Sequence, residues 1–261
     1  MLSKLKSIFY TGKSERDSQQ RNQINQIAGQ VHCLFIKAGL KDDLFHGKHF
    51  KMYVPNFPTD EIQRNIVLTE NFYENKILQD LSRYLDKNSV ILDIGANIGN
   101  HSVRWGLIDG VKRVHAFEPV PDTYEILRKN IAVNKLEKIV TPHNFGLSDK
   151  ESNAYAHHPH ACDIGTIEVR PTDDRNSGIL LKRLDDLNLK ETKINLIKID
   201  VESVEENVLK GAVQTIKKHR PLVFVESFPE DGQKFVIKFF KELGYQAPVK
   251  YPDYNFLFLP K

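Results

Sequence analysis

Cysteine is scarce in this chain: Cys33 and Cys162 are the only two among 261 residues, far apart and outside any CxxC spacing. Neither a disulfide framework nor a cysteine zinc site is indicated, and a reducing, cytosolic setting is expected. Net charge is also small, +3 from 37 Lys and Arg against 34 Asp and Glu. The lysines are scattered and form no arginine-rich or aromatic-interleaved stripe, so nucleic acid is not an expected partner. No apolar run approaches the roughly 20 residues that a bilayer-crossing helix needs. The N-terminal MLSKLKSIFY lacks the long apolar core and small-residue cleavage site of a signal peptide. Leu2, Leu5, Ile8 and Phe9 do share a helical face with Lys4 and Lys6 beside them. That pattern suits an anionic membrane surface, although a frayed terminal helix is the simpler reading.

What is present is the composition of a globular protein, 40% hydrophobic and 27% charged. One catalytic-size domain, residues 65–261, with an N-terminal extension, residues 1–64, is the expected organisation. Within the extension, Ile24, Ile27, Val31 and Leu34 recur at helical spacing, which predicts a helix that packs on the main domain or pairs two copies of the chain. HFKMYV reads as a strand, and PNFPTD as the loop after it.

From about residue 70, short apolar runs alternate with amphipathic helical patterns, the mark of parallel strands joined by crossover helices. ENFYENKILQDLSRYL is a helix burying Ile77, Leu78, Leu81, Tyr84 and Leu85. VILDIG, RVHAFEP, IVTPHNFGLSD, NLIKIDVE and PLVFVES read as five strands; NHSVRWGLI, PDTYEILRKNIAVN, VEENVLKGAVQTIKKH and QKFVIKFFKELG read as helices. The interval before NLIKIDVE is polar and irregular. Two short strands near Gln246–Lys250 and Asn255–Leu259 close the chain as a hairpin.

In an open parallel sheet a ligand sits where strand carboxyl ends meet helix N-termini, and the first such junction is DIGANIG, Asp93 to Gly99. Gly95 and Gly99 permit close backbone approach and positive φ, and Asn97 tolerates a left-handed position. A dinucleotide would need G-x-G-x-x-G, whereas Gly95 opens G-A-N-I-G-N. Asp93 would also repel a pyrophosphate. S-adenosylmethionine has no phosphate and bears an ammonium and a sulfonium, so an aspartate ahead of the turn favours it. At the end of the second strand, Glu118 can grip both ribose hydroxyls.

VILDIGANIGNHS, HAFEPVPDTYEILRKNIAVN and LIKIDVESVEENVLKGA together resemble the FkbM-type methyltransferases, a class I S-adenosylmethionine-dependent group. The likeness runs from about Glu70 to Glu226. It implies a Rossmann-like, mostly parallel sheet of seven strands with helices on both faces, and O-methylation of sugars, glycans or other small natural products. It also implies donor contacts at Asp93, Gly95, Ala96, Asn97, Gly99 and Asn100, at Glu118 and Pro119, and at Asp200, with Asn144 to Gly146 near the adenine. One departure stands out: the family's D-V-E-G-x-E is DVESVE here, with Ser203 at the glycine position.

A sugar hydroxyl is a poor nucleophile until its proton leaves, which calls for a general base or a metal ion. Asp200 is the first choice to face the reacting centre. Glu202 and Glu226 lie close enough to join it, either to raise one carboxyl's pKa or to hold a divalent cation such as magnesium. Glu202 and Glu205 serve equally well as acidic residues at a helix start. AYAHHPHACDIGT gathers His157, His158, His160, Cys162 and Asp163 without an established zinc spacing; it reads as a loop over the acceptor, with His158 a further candidate base. Tyr73 and Glu74 are candidates for the methionine end of the donor, and Trp105 reads as core. The rival readings are a non-catalytic donor-binding module and an N- or protein methyltransferase; against the latter, IDVES stands where D/N-P-P-Y/F would be.

Overall fold

The computed structural model describes residues 40–157 and 164–261. The predicted N-terminal helix, with the contact between copies expected from it, lies outside the described residues, as do His158, His160, Cys162 and Asp163. The described chain opens on an antiparallel hairpin of β1 (Leu44–His46) and β2 (Lys51–Tyr53). Helix α1 (Glu61–Thr69) starts at Asp60, whose carboxylate accepts the Gln63 N–H at 2.8 Å, the usual side-chain cap for an orphan amide. It runs across the expected boundary at residue 64 and is followed by α2 (Asn75–Ser82).

The sheet begins with β3 (Val90–Ile94), every residue of which is buried, as an unbroken apolar run requires when both faces are covered. The chain then runs through α3 (Asn100–Gly106), β4 (Arg113–Phe117), α4 (Pro121–Val133) and β5 (Val140–His143). Pro121 stands in the first turn of α4, where its missing N–H costs nothing. Four strands follow, β6 (Gly146–Leu147), β7 (Ser152–His157), β8 (Glu168–Thr172) and β9 (Ile179–Lys182). The chain next supplies β10 (Leu196–Ile199), α5 (Glu205–Lys210), α6 (Val213–His219), β11 (Leu222–Glu226) and α7 (Glu230–Glu242). It ends with β12 (Val249–Lys250) and β13 (Asn255–Phe258).

Seven strands form the main sheet in the order β12-β13-β11-β10-β3-β4-β5. β3, β4, β5, β10 and β11 are parallel, while β13 runs against both β11 and β12. Alternation along β3 sends Ile91 into one apolar cluster, with Trp105, Val114 and Ile126, and Leu92 into another, with Val208, Ile216 and Phe240. Helices thus cover both faces of this Rossmann-like sheet. The hairpin belongs to the first cluster through Phe45 and Met52, and Asn130 and Asn134 on α4 exchange hydrogen bonds with the backbone of Tyr53 and Lys51. After β5 the chain crosses to β10 on the other side of β3, which makes the ends of β3 and β10 the switch point where ligands bind.

Three stretches differ from the sequence expectation. In ENFYENKILQDLSRYL only Asn75–Ser82 is helical, and Tyr84, past its end, is exposed rather than buried. The polar interval is a four-stranded sheet, ordered β6-β9-β7-β8; Ser152–His157 and Glu168–Thr172 lack an apolar alternation because few of their side chains are buried. VEENVLKGAVQTIKKH is two helices, broken at Gly211 and Ala212. The break has a cause, since the Ser148 carbonyl lies where a Cβ on Gly211 would stand, and Asp185 caps α6 by accepting from Gln214 and Thr215 at 2.9 and 2.8 Å. No helix among the described residues is long and apolar enough to cross a membrane.

Gly211→Ala drives its methyl into backbone rather than into a movable side chain, so a loss of about 1–3 kcal/mol is expected. A urea unfolding midpoint equal to that of the unmodified protein would refute this packing account.

Candidate active site

The turn after β3 is shaped by contact with two neighbouring strand ends. The amides of Gly95 and Ala96 both donate to the Phe117 carbonyl, at 3.1 and 2.9 Å. Gly95 has φ +77°, and a Cβ there would run into the Asp200 carbonyl oxygen; only glycine lets the exits of β3 and β10 lie this close. Asn97 takes a left-handed conformation, φ 49°, one that Asn tolerates better than most side chains. Gly99 precedes α3 with φ +87°, under Leu127.

This turn opens on a cavity of about 280 Å³, within the usual order of small-molecule sites. Gly95, Ala96, Asn97 and Asn100 line it, as do Glu118, Pro119 and Gly146. Glu118 is 6% exposed. One of its oxygens accepts the Asn97 amide and the other the Val120 amide, each at 2.9 Å. Burial pushes its carboxyl up to about 7, against the pull of those two amides and of Lys198. Gly146 lies where a Cβ would meet Leu181 and Pro119. Asn144 is not on the wall; its side-chain amide donates to the carbonyls of Glu118 and Pro119, at 3.0 and 3.3 Å.

Asp93 is not on the wall either. It is fully buried, one oxygen accepting the Ser102 hydroxyl at 2.6 Å and the other 3.4 Å from the Lys198 ammonium. The sequence reading set this carboxylate beside a cationic ligand; in the structure its cation is Lys198. That lysine also pairs with Asp200 at 3.1 Å and donates to the Gly95 carbonyl at 2.8 Å. Burial works against its charge, yet Asp200 and Asp93 hold its pKa above the ordinary lysine value. Lys198 escaped the sequence reading, although a lysine inside the apolar strand LIKI was a visible signal.

At the far end of the cavity the walls become acidic. Glu61, Glu74, Asp200, Glu202, Glu226 and Asp253 all line it, and Lys198 is the one lysine or arginine among the described residues that does. Asn100 clamps the backbone of Tyr73, accepting its amide at 2.9 Å and donating to its carbonyl at 3.1 Å, which holds Glu74 over the turn. His101 Nε2 lies 3.1 Å from the Glu74 carboxylate. Burial, then the charges of Asp200 and Glu74, push Glu226 up to about 8. Partial burial, with Asp200 and Glu205 beside it, pushes Glu202 to about 7. Ile164, Val169 and Pro171, from the small sheet and the turn before it, form the apolar side. Trp105 is fully buried, as a core residue.

Glu202 and Ser203 are both left-handed, with φ 47° and 73°. Ser203 therefore adopts the backbone of the glycine it replaces, at a steric cost on the order of 1–2 kcal/mol. Its amide donates to Glu205 at 2.9 Å. Asp200, Glu202 and Glu226 are neighbours without being a ligand set: among the described residues no group of three or more His, Cys, Asp or Glu is placed to hold a metal ion.

Lys198→Met strands two carboxylates, one of them fully buried, and is expected to lower stability by roughly 3–5 kcal/mol. Adding Asp93→Asn should return part of that loss in a double-mutant cycle read by urea unfolding. Purely additive losses would mean that the pair is not coupled.

The family model for the methyltransferase FkbM domain matches residues 93–247, more than half of the chain. A hexuronic acid methyltransferase of Haloferax volcanii is 27% identical over 195 residues, 73% of this chain and 77% of that protein. The methyltransferase sdnD of Sordaria araneosa is 31% identical over 181 residues, 57% of this chain and 70% of that protein. The crystal structure of an FkbM methyltransferase from Methylobacillus flagellatus overlays with a TM-score of 0.48 at 20% identity, over 67% of this chain and 44% of that one. The sequence match, spanning the turn, both strand ends and Asp200, Glu202 and Glu226 of the acidic wall, identifies the chain as a member of the FkbM methyltransferase family, a group of S-adenosylmethionine-dependent methyltransferases.

Proposed function

We propose that the protein moves the methyl group of S-adenosylmethionine to a hydroxyl of a sugar or another small acceptor. The observation that carries this reading is a single cavity joining the Gly95–Gly99 turn and Glu118 to the acids at the ends of β10 and β11, with its one lysine already engaged. A phosphorylated cofactor would find no free lysine or arginine on these walls among the described residues, whereas a sulfonium and an ammonium suit them. The name of the Haloferax relative supports a sugar acceptor.

In this reading the Glu118 carboxylate, fixed by two amides, accepts the ribose hydroxyls with its remaining lone pairs. Pro119 and Gly146 flank the adenine, and Asn144 holds the strand end that carries Glu118. Asn100 sets the Tyr73–Glu74 backbone over the donor's amino acid end. When bound, S-adenosylmethionine supplies an electrophilic methyl on a positively charged sulfur. Asp200, anchored by Lys198, faces the reacting centre, and Glu202 orients the acceptor. Glu226 makes no ion pair with a described residue, and burial, then Asp200 and Glu74, raise its carboxyl to about 8, which suits a base near neutrality. It takes the hydroxyl proton, a contribution of roughly 10²–10⁴ in rate. Holding acceptor and donor in near-attack geometry supplies up to about 7–11 kcal/mol more.

The test is a screen of purified protein with labelled donor against glycosides, polysaccharide fragments and phenolic acceptors; labelling of phenols alone would refute the sugar reading. With an acceptor in hand, kcat should rise with pH as Glu226 loses its proton and level off above about 8. Glu226→Gln should abolish that limb and slow transfer by roughly 10²–10⁴, with donor affinity unchanged; a limb that persists in the variant assigns the base elsewhere. Glu118→Ala should do the reverse, weakening donor binding tenfold or more in calorimetry, and wild-type affinity in that variant would remove Glu118 from the donor site.

A further inference from the structure

Two large rings stand in solvent beside the acidic end of the cavity. Phe228 is 57% exposed and Tyr254 53%, with ring centroids 5.0 Å apart and planes at 45°. The backbone holds them together, because the amide of Ser227 donates to the Tyr254 carbonyl at 3.1 Å. Each adjoins the wall, Phe228 two residues after Glu226 and Tyr254 next to Asp253. A paired exposed aromatic surface of this kind, rimmed by polar groups, marks a contact site. Around it, Glu61, Glu202, Glu226 and Asp253 line the cavity without an ion-pair partner among the described residues, and Lys198 is tied to Asp93 and Asp200.

We propose that Phe228 and Tyr254 are the acceptor platform of this enzyme and that the site selects a sugar ring carrying no carboxylate. The inference rests on the sugar reading given above and narrows it. A pyranose presents an apolar C–H face whose weakly positive hydrogens suit the negative face of an aromatic ring. Laid on this pair, it turns its hydroxyls toward carboxylates that can only accept hydrogen bonds once ionised. A uronate would bring another negative charge among four acids that lack a cation, where like charges repel. The chain thereby parts from its Haloferax relative, which is named for hexuronic acid.

The experiment uses the full chain loaded with S-adenosylhomocysteine and three probes: methyl glucoside, methyl glucosaminide and methyl glucuronide. Saturation-transfer NMR reads which ring face is held, and titration gives affinities. The glucoside and glucosaminide should bind at least tenfold more tightly than the glucuronide. Phe228→Ala and Tyr254→Ala should each weaken them fivefold or more, while Phe228→Tyr, which keeps a ring, retains binding. Calorimetry with S-adenosylhomocysteine should return the same affinity in every variant, which separates a lost platform from a lost fold. A glucuronide bound as tightly as the glucoside, or alanine variants that hold the ring as the unmodified protein does, overturns the proposal and leaves the sugar reading intact. If none of the three binds, the sugar reading fails and the platform falls with it.

Discussion

Lys198 carries its ammonium among Asp93, Asp200 and the Gly95 carbonyl, and the crevice takes its form from the need to satisfy that buried charge. A lysine removed from water is tolerated only when paired and hydrogen-bonded. Meeting that requirement draws the ends of β3 and β10 together, which in turn demands the absence of a side chain at Gly95. The turn then follows as a mechanical consequence: its amides are free to engage Phe117 and Glu118, and Asp200 is held facing the cavity. Donor half and reacting end are thus parts of a single electrostatic arrangement.

The same arrangement revises the argument from charge sign. Asp93 ahead of the turn is neutralised from within the fold, so its influence on a ligand is indirect. Among the described residues, the lining carboxylates without an ion pair are Glu118 on one side and Glu61, Glu202, Glu226 and Asp253 on the other. Crowding and burial keep several of them partly protonated near neutrality. A cation entering beside Glu118 favours its ionised form, so binding a positively charged donor and ionising that acid are linked events.

How much of this was legible in the sequence depended on the range of the interaction. The βα alternation, the turn at Gly95–Gly99 and the acid at Glu118 are set by local pattern, and each stands where periodicity and spacing put it. The four-stranded sheet was hidden because β7 and β8 are stabilised by pairing rather than by a buried face, so their residues carry no alternation. The break at Gly211 depends on Ser148, 63 positions earlier in the chain, and no local signal announces such a contact. Lys198 was passed over for the same reason: an ion inside a strand is intelligible only once its partners on β3 and beyond are known. Phe228 and Tyr254 are distant in sequence and meet through the pairing of β11 with β13.

The small sheet follows the main sheet in the chain through β6 and packs on Val120 through Ala154, Ile179 and Leu181. β6 begins three residues after the end of β5 and serves as the rail on which β9 is laid, while β7 and β8 lie beyond it. Gly146 on that seam lines the cavity beside Pro119, and Val169 and Pro171 line it from β8. The exposed positions of β7 and β8 can therefore be resurfaced while the strands of the main sheet keep their register. Such a layout makes acceptor preference an exchangeable accessory in evolution, replaceable without rebuilding the engine it serves.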